Sequence, residues 1–201
     1  LIISVCGIRF AFGGKRMFED FDAALFFMGA AFMLLETRGI TSLSLLFGST
    51  WIVNSSVIAG ILIMALIANR MVQRGVTISI PKSFTCLFSA LFLLWMVDLS
   101  LLNRLDLISR WVAGSLINAL PIGFAGLVIS GLLNRSSNLA GSLASNLLGS
   151  VLGGCLEYLS IYFGLRFLVV LAFVLYLLAF LCILRRNKLI SSAFFQVRNP
   201  F

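Results

Sequence analysis

The sequence predicts an all-α fold: a polytopic transmembrane helical bundle of about six spanning helices, with a partial helix at the N-terminus. Three observations carry this. Of the 201 residues, 61% are hydrophobic and 11% are charged, against about 45–50% and about 25% in a soluble domain. The mean hydropathy is +1.10, so lipid must act as solvent for much of the surface. The apolar runs approach the roughly 20 residues that cross a bilayer and lack the alternation of a barrel strand. A backbone in hydrocarbon must satisfy its own hydrogen bonds, which leaves helices for runs of this length. A soluble enzyme, a disordered chain and a free nucleic-acid binder are excluded.

The elements follow in order. Leu1–Ile8, stopped by Arg9, is too short for a signal peptide or a span, and reads as the end of a preceding helix in a longer chain. Residues 1–22 are then that helix end and a cytoplasmic linker. Six spans fill a transmembrane domain over 23–186: Ala23–Ser42, Trp51–Ala68, Phe84–Leu102, Trp111–Leu133, Leu139–Gly164 and Phe167–Leu184. Residues 187–201 form a cytoplasmic tail. Gly48-Ser49 ends the first span, Pro81 opens the third at no cost in helical bonds, and Asn134–Asn138 is a polar turn. The join around Gly164-Leu165-Arg166 is so short that spans five and six are expected to be antiparallel neighbours.

Charge orients the bundle. Arg9, Lys15, Arg16, Arg70, Arg74, Lys82, Arg135, Arg185, Arg186, Lys188 and Arg198 share one side, eleven bases in all; Arg38, Arg104, Arg110 and Arg166, four in all, share the other. The richer side is expected to be cytoplasmic, with both termini there. A bacterial inner membrane with anionic headgroups at that face suits the net charge of +8. The basic residues are split among apolar runs, so nucleic acid is not an expected partner. Trp51, Trp95 and Trp111 fall in the outer half, where tryptophans anchor spans at the interface.

Chemistry is sparse. With no histidine, imidazole-held cofactors, zinc hydrolysis and Ser-His-Asp catalysis lack a usual component. Cys6, Cys86, Cys155 and Cys182 are far apart and form no CxxC, and they are expected to be buried thiols. No catalytic constellation, cofactor site or metal site is expected. The candidates are intramembrane polar groups: Glu36, Arg38, Asn54, Glu157 and Arg166. An isolated charge costs at least about 2.5–3.5 kcal/mol at the centre of a spanning helix. Glu36 and Glu157 are therefore expected to reach Arg38, Arg166 or a polar group such as Asn54. In span five, Gly141, Ser145, Gly149 and Gly153 recur every four residues and share one face. Such a stripe lets two helices approach closely in lipid.

The run Phe26-Phe27-Met28-Gly29-Ala30-Ala31-Phe32-Met33-Leu34-Leu35-Glu36-Thr37, followed by Leu45-Leu46-Phe47-Gly48-Ser49-Thr50-Trp51 and Val53-Asn54, resembles the membrane region of bacterial spermidine-synthase-like proteins. Asn146-Leu147-Leu148-Gly149, Gly153-Gly154 and Leu156-Glu157-Tyr158-Leu159-Ser160 extend the likeness, which covers roughly Asp20 to Arg186. The resemblance implies a major-facilitator-like half joined to a soluble synthase-like domain, whose nucleotide-binding and catalytic positions have no counterpart here. Three functional expectations follow. The first is a non-catalytic membrane region packing against other membrane subunits or a missing part of the same chain. The second is a transporter-like half moving a small polar solute or proton. The third is the membrane anchor of an enzyme whose catalytic domain lies outside this chain.

Overall fold

The computed structural model describes residues 21–48, 51–74, 79–97 and 106–198, except for the side chains of 52–54, 56, 107–108, 110–111 and 187–198. Among the described residues there are six long helices and no strand: α1 (Ala23–Phe47), α2 (Trp51–Gln73), α3 (Ile80–Met96), α4 (Leu107–Asn134), α5 (Leu139–Leu156) and α7 (Leu165–Arg198). A 3-10 turn (Glu157–Leu159) and a four-residue helix α6 (Ser160–Phe163) link α5 to α7. Four helical stretches, Ala23–Phe47, Val112–Asn134, Leu139–Phe163 and Leu165–Arg186, are long and apolar enough to cross a membrane. The chain is thus a membrane protein built as an all-α bundle. The apolar helices Val57–Gln73 and Ile80–Met96 are shorter.

Helix α1 is the axis of the bundle. It packs against α5 and α7 along most of its length, and against α4 and α2 further on; α3 closes the ring between α4 and α7. Leu25, Met28, Ala31 and Leu34 of α1 are buried with Phe84 and Leu87 of α3, Ile122 and Ala125 of α4, and Leu168 and Tyr176 of α7. Phe84 against Phe180 at 4.9 Å and Phe88 against Phe173 at 4.8 Å join α3 to α7 by tilted rings.

The helix ends show local causes. Asp22 caps α1, its carboxylate accepting from the Ala24 and Leu25 amides at 3.0 and 3.2 Å. α1 runs five residues past the expected Ser42. The hydroxyls of Thr37 and Thr41 donate back to helical carbonyls at 3.0 and 2.9 Å, so these polar residues sit in a helix without loss. Gly48 then ends it at φ 89°, a conformation that suits glycine. α3 opens at Ile80 with Pro81 in its first turn, earlier than the expected Phe84, and ends at Met96. Asn138 caps α5 through the Gly141 amide at 3.1 Å.

One expectation is refined and one corrected. Span five is a helical stretch from Leu139 to Phe163, one residue short of the expected Gly164, but it is not one regular helix: α5 stops at Leu156, and the chain tightens into the 3-10 turn and α6 before Gly164 turns it at φ 80°. Tyr158, Ile161, Tyr162 and Phe163 in this linker are exposed, with Phe163 packed on Phe167 of α7 at 4.7 Å between ring centroids. Helices α5 and α7 are not mutual neighbours; each packs on α1, and the linker steps across it. Meanwhile α7 runs on through Arg185 and Asn187 to Arg198, with no breaker before Asn199-Pro200.

Asp22 also joins three helices. Its amide donates to Ser145 Oγ of α5 at 3.0 Å, and its carboxylate accepts from Arg186 Nη1 of α7 at 2.9 Å. The pair is half solvated, so it contributes at most about 1 kcal/mol, and the cap adds about 1 kcal/mol. Asp22→Ala is expected to cost about 1–2 kcal/mol, read as a modest fall in melting temperature; an unchanged melting curve would show that the junction is dispensable.

Candidate functional site

The four-residue stripe of α5 lies against α1. Gly141, Ser145, Gly149 and Gly153 are all buried. A Cβ on Gly149 would collide with the Phe26 carbonyl oxygen, and one on Gly153 with the Ala30 carbonyl oxygen. A Cβ on Gly153 would also lie 2.9 Å from Met33 Cβ. The contact is reciprocal: Gly29 of α1 faces the Asn146 carbonyl so closely that a Cβ there would clash. Here backbone meets backbone, and this is the dominant packing device of the bundle. Ser145 Oγ donates to the Gly141 carbonyl at 2.8 Å while accepting from the Asp22 amide. Gly29 was not among the residues singled out from sequence; its GAA context within an apolar run is the signal that marks it.

Among the charged candidates, the structure gives Arg38 a polar partner on another helix. Arg38 is 3% exposed, about 22 Å along α1 from its first residue at roughly 1.5 Å per residue. Its Nη1 donates to Asn118 Oδ1 of α4 at 3.0 Å, a buried bond between helices. Asn118 is itself 5% exposed, and its Nδ2 donates to the Gly114 carbonyl at 2.8 Å. Arg38 Nε has no partner among the described residues. One turn on, Ser42 Oγ is likewise buried without a partner among them. Arg38 therefore spends its interhelical bond on Asn118 rather than on Glu36 or Glu157. Glu36 is half-buried on α1, and Glu157 is half-buried where it opens the 3-10 turn. Arg166 is the second residue of α7. Asn54 lies within α2, but its side chain is outside the described residues.

Beside the Arg38–Asn118 pair lies a cleft of about 380 Å³ between α1, α2 and α4, within the range of small-molecule pockets. Gly39 and Leu43 of α1, Gly60 and Met64 of α2, and Ser115 and Asn118 of α4 are among its walls. The cleft exists because α2 and α4 converge at one end and part at the other. A Cβ on Gly126 would lie 3.5 Å from Ala68 Cβ, whereas a Cβ on Gly60 would have nothing within 4 Å. Its walls are mainly apolar; Asn118 and Ser115 are its polar side chains. Sequence reasoning missed Asn118. An amide inside an apolar span at the depth of Arg38 was the available signal.

Among the described residues no group of three or more His, Cys, Asp or Glu side chains could hold a metal ion. Cys86 and Cys155 are exposed on the bundle and Cys182 is half-buried, a correction to the expectation of buried thiols. In lipid an exterior thiol is already in an apolar solvent, so burial within protein is not required. Trp51 and Trp95 are exposed as well. Compared with known proteins, the chain matches no family model, no curated protein and no solved structure.

Proposed function

We propose that this chain is a non-catalytic integral membrane region that takes a small polar solute inside its bundle, in the manner of a transporter half. The environment of Arg38 carries this reading. A guanidinium has five N–H donors; this one is buried among apolar helices, has an Nε without a partner among the described residues, and is held by the amide of Asn118. Intramembrane charges are costly, and they are retained chiefly at substrate paths and binding sites. The adjoining cleft, lined by Asn118 but not by Arg38 itself, provides room for a solute beside the pair.

A role in assembly with other membrane subunits is the second reading. It is supported by the row Ile58, Leu62 and Leu66 on α2, exposed at intervals of one turn. That row is satisfied by acyl chains alone, which makes it the weaker support. Anchoring of a synthase-like catalytic domain outside this chain is compatible with both. The bacterial inner membrane, with both termini cytoplasmic, is the setting we propose from the distribution of basic residues.

A polar solute needs an aqueous route to its site. Ser115→Cys, made with the native cysteines replaced by alanine and placed in lipid nanodiscs, is expected to react with a charged, membrane-impermeant thiol reagent. Ser137→Cys, in the exposed turn between α4 and α5, is the positive control. Labelling of Ser137→Cys alone would contradict the proposed function, because a cleft sealed from water admits no polar solute.

A further inference from the structure

We infer that the cleft between α1, α2 and α4 binds a small organic monoanion, a carboxylate on a short apolar body, with the charged end at Asn118 beside Arg38. The inference rests on the solute-handling reading above and adds the chemical class of the solute.

Charge complementarity is the first support. Arg38 is a permanent cation, and among the described residues it forms no salt bridge. Asp22 is engaged with Arg186 at the far end of α1. Arg38 is 3% exposed and so poor in water, a setting in which its charge acts on an anion more strongly than at the surface; Glu36, half-buried two residues before it, faces another side of α1. A cationic or zwitterionic amine would meet the same field as repulsion.

Shape supplies the second support. The cleft is walled by Leu43, Val57, Ile61, Met64, Leu116 and Ile122, which suit a hydrocarbon or aromatic body rather than a sugar. Its polar side chains, Asn118 and Ser115, lie on α4 one turn apart and face a single end group. A volume of about 380 Å³ holds a chain of eight or so carbons with space to spare. A phosphodiester headgroup with two acyl chains is too large for it.

The hydrogen bonds allow the exchange. Asn118 Oδ1 is the acceptor for Arg38 Nη1. A carboxylate arriving at Asn118 replaces that neutral acceptor with a charged one, and guanidinium–carboxylate pairs are often bidentate, which adds both energy and geometric specificity. Arg38 Nε and Ser42 Oγ, buried without partners among the described residues, stand one turn apart on α1 beside the cleft wall that Gly39 and Leu43 form.

The full chain in zwitterionic lipid nanodiscs tests this, with octanoate and octanamide as probes. They differ only in the charge of the end group. Octanoate is expected to bind at least tenfold more tightly than octanamide by calorimetry. Gly60→Leu fills the cleft from a position where a Cβ meets nothing within 4 Å, so it should fold as the parent does and lose octanoate binding. Arg38→Gln should lose the preference for octanoate while retaining weak binding of both probes. Equal binding of the two probes by the parent, abolished by Gly60→Leu, would overturn the anion assignment and leave solute handling standing. Octanoate binding that survives Gly60→Leu would place the probe in the lipid and overturn the inference. Failure of both probes to bind, with Ser115→Cys still labelled, would refute the carboxylate class alone; failure of that labelling too would remove both readings.

Discussion

Gly149→Ala is expected to cost about 3 kcal/mol or more, and Gly149→Leu to prevent α5 from docking at all. The added Cβ would lie inside the van der Waals radius of the Phe26 carbonyl oxygen, and within 3.1 Å of the Ala30 amide nitrogen. Both atoms belong to the backbone of α1, so no rotamer can relieve the clash; two helices must move apart. Overpacking a rigid core by a single methyl group costs about 1–3 kcal/mol, more where backbone resists. Here the separation would also break the Ser150 Oγ contact to the Gly29 carbonyl and the Asp22 amide bond to Ser145. Gly154, five residues on, is the control: a Cβ there meets nothing within 4 Å. Gly154→Ala is expected to be neutral or stabilising by up to about 1 kcal/mol, since alanine is the better helix former. Thermal unfolding of the two variants in one detergent checks the contrast. Equal melting temperatures would mean that α1 and α5 do not touch through this face.

A comparable loss is expected from Asn118→Leu. The leucine has a similar volume and suits an apolar span, so hydropathy alone favours the change. It removes the acceptor of Arg38 Nη1, however, and leaves a guanidinium buried without that bond. Leaving a buried hydrogen-bonding group unsatisfied costs about 1–3 kcal/mol, and more when it is charged. The loss should depend on Arg38: with methionine at that position there is no charge left to strand. A double-mutant cycle over the two positions measures this coupling. Additive effects would show that Asn118 stabilises α4 by some other route, such as its bond to the Gly114 carbonyl.

Much of the fold was legible in one sequence because lipid imposes a simple rule on backbone and side chains. Apolar runs located the helices, and Gly48, Pro81 and the 134–138 turn located several ends within a few residues. The spacing of Gly141, Ser145, Gly149 and Gly153 identified a single face before its partner was known. What failed was what depends on distant residues. Nothing in the hydropathy of span five marked the 3-10 turn at Glu157–Leu159, where the helix tightens although the stretch stays helical to Phe163. A short join suggested that α5 and α7 touch, yet the glycine stripe of α5 accepts α1 instead. Arg38 was legible as an intramembrane charge; its partner was not. Asn118 lies 80 residues away and is neither acidic nor part of a motif. Pairing by opposite charge, the natural guess from sequence, pointed to Glu36 and Glu157, whereas the fold supplies a neutral amide.

If Arg38 is kept for a ligand rather than for the fold, removing it together with Asn118 should not weaken the ligand-free protein. Replacing buried ionic groups by apolar residues of similar size is often neutral or stabilising, by up to about 4 kcal/mol. The melting temperature of Arg38→Met/Asn118→Leu, compared with the parent in the same ligand-free nanodiscs, is the measurement. The expected result is a melting temperature equal to or above that of the parent. A double variant that melts as low as Asn118→Leu alone would mean that the Arg38–Asn118 bond is a structural bolt between α1 and α4, and would contradict a binding role for the site.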